Sequence, residues 1–316
     1  MANALVLGGT GWLGQHLVRA LLDDGHTVSC LARGTSGSIP DGARLVRADR
    51  RAAGAYDDVR GRWDLVVELS SDPALVAGAL DALADDVAHW TFVSTVSVYA
   101  EDDQPDADES AALVEPADLS QYADAKVAAE QASVARLGDR LLVVRPGLIV
   151  GPGDPSDRFG YWPARLDQSG PALVPTTADR FAQVIDVRDL AWWIARTRTA
   201  GTVNAVGDPV PLAEVFRTDA AATGFDGEVV ALEDDVLLAH GVQYWAGPRS
   251  LPLWLPHAAS GFARRSNRAF RELGGTTRPL AATVEDVLVD ERARGVTRAR
   301  RSGLSRHDEA AVLTSR

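Results

Sequence analysis

At 316 residues, with 46% hydrophobic and 24% charged residues, the chain has the balance and length of a folded domain carrying a smaller part, which excludes fibrous and disordered classes. A formal net charge of -12 opposes a nucleic-acid backbone as partner, and no apolar run reaches the roughly 20 residues that a helical membrane span needs. The single cysteine, Cys30, has no disulfide partner, which points to a cytoplasmic setting and to a small buried hydrophobe.

The first apolar run, residues 4–7, has no basic leader before it and reads as a core strand rather than a signal. Directly after it comes Gly8-Gly9-Thr10-Gly11-Trp12-Leu13-Gly14, and directly after that an amphipathic helix over residues 12–23. In that order, Gly8 permits a tight turn, Gly11 lets backbone approach a pyrophosphate, and Gly14 lets helix pack on sheet. Thr10, Trp12 and Leu13 supply further backbone at the helix N-terminus, where an anion is favoured.

The second strand, residues 27–32, ends in Ala32-Arg33-Gly34-Thr35-Ser36. A carboxylate at that end would meet a free ribose 2'-hydroxyl, whereas Arg33 and its hydroxyl neighbours suit a 2'-phosphate, so NADP(H) is preferred to NAD(H). After a third strand, residues 43–46, Asp49 is placed either to accept from an adenine amino group or to pair with Arg50 in a loop. A fourth strand, residues 65–69, carries Glu68, which needs a partner if buried and would touch either cofactor or an arginine. Leu69, at its end, is counted with the cofactor-binding residues.

Residues 73–84 read as a helix, 90–94 as a fifth strand and 119–137 as a longer helix, followed by a strand at 141–144. Apolar runs that do not alternate, separated by helices, predict an α/β fold with a doubly wound parallel sheet. At the carboxyl end of the fifth strand, Thr95 offers a hydroxyl to a substrate oxygen, with Ser94 or Ser97 as alternatives. The acidic stretch 101–109 reads as a solvated loop.

The chain has one lysine among its 32 basic residues, and that residue, Lys126, lies four positions after Tyr122 in the long helix. Residues four apart share a helix face. A position that keeps lysine where arginine serves everywhere else asks for a compact ammonium, and such a charge is expected to lower a neighbouring phenol's pKa toward working pH. Tyr122 and Lys126 are therefore, with Thr95, the candidate catalytic residues.

Beyond Pro146 the texture becomes rich in Gly, Pro and Trp. Residues 145–154 and 170–177 read as loops, and 184–196 as a strand end and helix, with 180–210 expected to return to the first half. Residues 1–150 are thus expected to form the dinucleotide-binding domain and 151–316 mainly a smaller C-terminal substrate-binding part. There Tyr161, Trp162, Tyr244, Trp245 and Trp254 either line an apolar pocket or pack a core. Arg292, Arg294, Arg298, Arg300 and Arg301 read as a solvated tail or a face touching another subunit. The six histidines show no ligand spacing, so no metal is expected.

The glycine-rich turn, Ser94-Thr95-Val96-Ser97-Val98-Tyr99, the Tyr122–Lys126 pair, residues 145–154 and Asp186-Val187-Arg188-Asp189-Leu190-Ala191 together resemble the extended short-chain dehydrogenase/reductases, the NAD(P)-dependent epimerase/dehydratase family. The resemblance implies a Rossmann fold, Thr95 orienting the substrate oxygen, Tyr122 as acid/base, Lys126 on the nicotinamide ribose and Pro146 beside the nicotinamide. It also implies a homodimer packed through helices that include the Tyr122 segment. The expected activity is hydride transfer between NADP(H) and a carbonyl or secondary alcohol of a small organic substrate. The alternatives are an NAD-dependent sugar-nucleotide epimerase or dehydratase and a non-catalytic NADP(H)-binding redox sensor.

Overall fold

The computed structural model describes residues 2–315. Strands β1 (Asn3–Leu7), β2 (Thr27–Ala32), β3 (Arg44–Arg47), β4 (Trp63–Glu68), β5 (Val87–Val93) and β6 (Leu141–Pro146) alternate with helices α1 (Trp12–Asp23), α2 (Pro73–Leu83) and α3 (Tyr122–Leu137). Then come β7 (Leu148–Val150), α4 (Tyr161–Leu166), β8 (Ala172–Pro175), β9 (Phe181–Asp186), α5 (Val187–Arg196) and β10 (Gly201–Ala205). Seven strands pair in parallel in the order β10-β6-β5-β4-β1-β2-β3.

Both faces of this sheet are buried, which is why its strands are continuously apolar. Ala4, Val6, Val28, Val67 and Val144 point to one face, against Leu17, Val18 and Leu21 of α1 and Leu190, Trp193 and Ile194 of α5. Leu5, Leu7, Val66, Phe92 and Val143 point to the other, against Val76 and Leu80 of α2 and Ala129 of α3. Helices on two faces of one parallel sheet make the doubly wound architecture, whose ligands bind at the carboxyl ends of the strands.

The remaining chain adds β11 (Pro209–Pro211), α6 (Leu212–Thr223), β12 (Val229–Leu232), α7 (Asp234–Ala239), β13 (Gln243–Trp245), β14 (Ser250–Pro252), α8 (Arg268–Glu272), α9 (Leu280–Arg294) and α10 (Arg306–Thr314). Most of it surrounds a separate core that includes Trp162, Phe216, Leu237, Trp254 and Val284. Two expected loops are strands instead. Residues 145–154 hold β7, paired in parallel with β9, and residues 170–177 hold β8, paired with β12. Each is only three or four residues long between Gly and Pro, and its partner lies far along the chain, so local pattern favoured a loop.

Two further expectations are corrected. The long helix starts at Tyr122 and not at 119, because the Asp118 carboxylate accepts from the Ser120 amide at 3.0 Å and holds a turn there. The arginine-rich segment is not a solvated tail, since Arg294, Arg298 and Arg300 converge on Glu291 and the Arg301 amide donates to Asp157. Tyr161, Trp162 and Trp254 are core residues, and Tyr244 packs 3.9 Å from Trp254. No helix of the described residues is long and apolar enough to cross a membrane.

Candidate active site

The turn between β1 and α1 has a shape that only glycine allows. Gly8 has φ 100°, and a Cβ at Gly14 would lie 2.5 Å from the Gly8 carbonyl oxygen and 2.8 Å from the Gly9 Cα. No side chain caps the N-terminus of α1 at Gly11, so its first amides stay available to an anion. A cavity of about 360 Å³ lies above this turn. Among its walls are Thr10, Leu13, Ala32, Arg33, Asp49 and Leu69. A close-approach turn, uncapped amides and an elongated groove over the strand ends fit the pyrophosphate and adenosine of a dinucleotide.

Trp12 also borders the groove, but its indole donates to the Pro152 carbonyl at 2.8 Å, tying α1 to the loop after β7. Arg33 is exposed, lines the groove with Thr35 and Ser36, and has no carboxylate partner among the described residues. The Asp49–Arg50 loop pair is not formed. Asp49 accepts from the Arg51 amide at 3.0 Å, while Arg50 reaches Glu68, donating to Oε1 at 3.0 Å and through its other terminal nitrogen to Oε2. Glu68, fully buried, also accepts from the Ser70 amide at 2.7 Å, so it is a brace for the strand end and keeps no free oxygen for a ligand.

The α3 helix carries Tyr122 at its first position and Lys126 one turn on. Lys126 is 3% exposed; its Nζ donates to the carbonyls of Val93 at 2.6 Å and Ser70 at 2.9 Å and lies 4.8 Å from the Phe92 ring centroid. Burial brings its pKa down to about 8, against the raising influence of Glu68 and Glu130. One turn further along the same face the helix is fixed by a buried pair, Arg145 Nη2 to Glu130 at 2.6 Å, while Arg145 Nη1 donates to the Tyr99 hydroxyl at 3.0 Å. Lys126 is thus lodged between the carboxyl ends of β4 and β5.

Tyr122 is 53% exposed, yet enough protein surrounds its hydroxyl that burial raises the pKa, opposed by the Thr95 hydroxyl and by the charge of Arg158. This corrects an expectation. The Lys126 ammonium is committed to two carbonyls, and it is not what holds the phenol's pKa down. Thr95 itself is fixed because its Oγ1 accepts from the Ser97 amide at 3.1 Å, capping a short turn. Of the alternatives, Ser97 is bonded to Thr95 at 3.2 Å and the Ser94 hydroxyl is buried without a partner.

Pro146 ends β6 opposite Ala205 of β10 and is not among the residues walling the groove above the turn. Two contributors escaped sequence reasoning. The Ser70 carbonyl is a backbone group with no sequence mark, and Arg158 sits in a Gly- and Pro-rich loop, its guanidinium 5.1 Å from the Trp245 ring centroid. An arginine in such a loop is unremarkable until the fold brings it near the phenol. Among the described residues no His, Cys, Asp and Glu side chains cluster as a metal would require.

Comparison with known proteins gives concordant results. The model of the NAD dependent epimerase/dehydratase family matches residues 4–206. A ceramide reductase from Caulobacter vibrioides (strain NA1000 / CB15N) is 28% identical over 278 residues, covering 78% of this chain and 79% of that protein. Among solved structures, a putative epimerase from Burkholderia cenocepacia J2315 superposes with a TM-score of 0.71 at 21% identity, covering 92% of this chain and 98% of the other. The UDP-glucose 4-epimerase of Thermus thermophilus, solved in complex with NAD, gives 0.66 at 20% identity, covering 93% and 100%. At these identities the solved structures speak to the fold alone.

Proposed function

The chain belongs to the NAD dependent epimerase/dehydratase family, and from that membership we propose that it transfers a hydride between NADP(H) and a carbonyl or secondary alcohol of a small organic substrate. The cofactor, when bound, supplies or accepts the hydride. The chain's own residues do the rest. Amides at the start of α1 bind the pyrophosphate, and Arg33 with Thr35 and Ser36 binds the 2'-phosphate that distinguishes NADP(H) from NAD(H). Asp49 meets the adenine amino group, Leu69 packs beside the adenosine, Lys126 binds the nicotinamide ribose and Pro146 borders the nicotinamide.

In the reductive direction, Thr95 donates a hydrogen bond to the carbonyl oxygen and Tyr122 passes its phenolic proton to that oxygen as negative charge develops. A phenol whose pKa is raised by burial is protonated at neutral pH, which suits it to act as the acid. The Arg158 charge stabilises the phenolate left behind until solvent restores the proton. The relative named as a ceramide reductase supports net reduction over internal epimerisation.

One observation carries this reading: the chain's only lysine is buried between two strand ends, one helical turn from a tyrosine whose titration is influenced by the Thr95 hydroxyl. In Tyr122→Phe, turnover with a substrate found by carbonyl screening is expected to fall by about a hundredfold or more with NADPH binding unchanged. A fall smaller than about tenfold overturns the acid/base assignment.

A further inference from the structure

Buried arginines of the C-terminal part meet carboxylates: Arg165 pairs with Glu309, Arg180 with Asp234 and Arg265 with Asp102. Arg158, half-buried in the loop between β7 and α4, forms no ion pair among the described residues. The carboxylate whose charge reaches it is that of Asp154, whose two oxygens accept from the Ser156 amide and hydroxyl, each at 2.8 Å. Arg158 Nε donates at 3.2 Å to that same hydroxyl. The guanidinium is thus held by its Nε and by the Trp245 ring, whose centroid lies 5.1 Å from its Cζ. Neither Nη makes a hydrogen bond among the described residues, and neither is closed off from solvent. Burial lowers the pKa of Arg158, the cost of a charge that the protein leaves uncompensated.

Packing sets this free edge beside the candidate catalytic groups. Trp245 meets Phe262 edge-on at 5.4 Å, and Phe262 packs on the cluster of Val96, Tyr99 and Val206, which begins one residue after Thr95. Trp245 and Phe262 also line a narrow recess with Gly147, the residue after Pro146. An aromatic wall therefore runs from the segments that follow β5 and β6 to Arg158. Arg158 and Tyr122 are close enough for the charge of each to shift the pKa of the other. Trp245 itself has φ 67°, a left-handed backbone that a bulky residue keeps only where its surroundings hold it.

We propose that Arg158 determines specificity by binding a carboxylate of the substrate, its two Nη groups donating to the carboxylate oxygens while the carbonyl oxygen lies at Tyr122 and Thr95 and the carbon chain between them lies along Trp245. The substrate class is then an oxo acid, or the matching hydroxy acid. This deepens the reading of Tyr122 and Thr95 as the groups that meet the reacting oxygen, and rests on it. A planar fork of N–H donors matches a planar carboxylate. One free guanidinium balances one negative charge, whereas the near-double charge of a phosphate asks for a second cation where the neighbouring wall is aromatic. Because its Nε and ring-facing side are already committed, Arg158 loses little freedom on binding, which favours affinity.

The test is calorimetric titration of the full chain with benzoate, phenylacetate and 3-phenylpropionate, and with the amide of each. The chain is first saturated with NADP+ or, if it binds that more tightly, NAD+, so that the groove above the glycine turn is filled. At least one carboxylate is expected to bind saturably and about tenfold or more tighter than its amide. Arg158→Gln should remove that preference by weakening the acid about tenfold or more, and Arg158→Lys, which keeps the charge without the fork, should restore only part of it. The ratio of acid to amide is the readout, since a merely structural change at Arg158 weakens both probes alike. No carboxylate bound, or none bound more tightly than its amide, overturns the proposal in the native chain, with no variant required to fold. A ratio left intact by Arg158→Gln overturns it too. The measurement involves no turnover, so the two readings fail separately: full turnover in Tyr122→Phe removes the acid/base role, while the carboxylate preference of that same variant still reports on Arg158.

Discussion

Lys126 owes its chemistry to being enclosed. Its pKa of about 8, against 10.5 for a free lysine, means that the ammonium is present below pH 8 and lost above it in the folded protein. The KM for NADPH is therefore expected to rise about tenfold between roughly pH 7 and pH 9, a rise that Lys126→Met abolishes by being weak throughout. A flat profile in the native protein would remove Lys126 from cofactor binding. Arg33 makes the complementary case, because it is exposed and unpaired by carboxylate. Arg33→Ala should cost NADPH about tenfold or more in affinity and leave NADH unchanged, measured by fluorescence titration. Both residues stood out in the sequence, one as the single lysine and the other as a cation where an acid would mark NAD. Arg158 did not, since nothing local tells which loop arginine the fold will bring near Tyr122.

At the scale of elements, the turn and α1 form one unit whose tolerance is set by Gly14. Any Cβ there meets backbone at 2.5 Å and 2.8 Å, and backbone cannot yield as a flexible side chain does. Gly14→Val is expected to cost about 3 kcal/mol or more by urea unfolding and to abolish dinucleotide binding. A loss below about 1 kcal/mol would show that α1 can lift from the strand ends. The bounds of α1 and β2 were legible to the residue, because each has an unbroken period and a clear stop. The start of α3 was not, because Asp118 diverts the residues before it into a side-chain-bonded turn whose apolar spacing still looks helical. The short β7 and β8 were hidden for another reason: a three- or four-residue strand is defined by its partner, and β9 and β12 are remote. Glu68 left its partner undetermined, and the structure gives Arg50.

At the scale of the whole molecule, the parallel sheet was predictable from rhythm, while the contacts that close the C-terminal part were not. Arg298 meets Asp157 at a separation of 141 residues, which no local pattern encodes. Acid stability should be governed in part by His89 in β5. It is 7% exposed, its Nε2 has no partner, and burial lowers its pKa from 6.5 to about 4. As pH falls from 6.5 toward 4 the unfolded chain takes up a proton that the folded one refuses, so stability is lost through that window, by about 3 kcal/mol at its lower end. His89→Gln should show a shallower decline than the native chain in denaturant melts between pH 7 and pH 4, and parallel curves would exclude His89 as the sensor.

The seventh strand has a consequence for how the chain is made. β10 seals the outer edge of β6, and α5 shields the face of β1 and β4, yet both arrive only after residue 186. A nascent chain halted near residue 150 would emerge from the ribosome with an open ladder and a bare apolar flank, a form prone to stick to its neighbours. Translation must run some fifty residues further before Leu190, Trp193 and Ile194 can close that flank, so a holding chaperone would find its longest engagement in that interval.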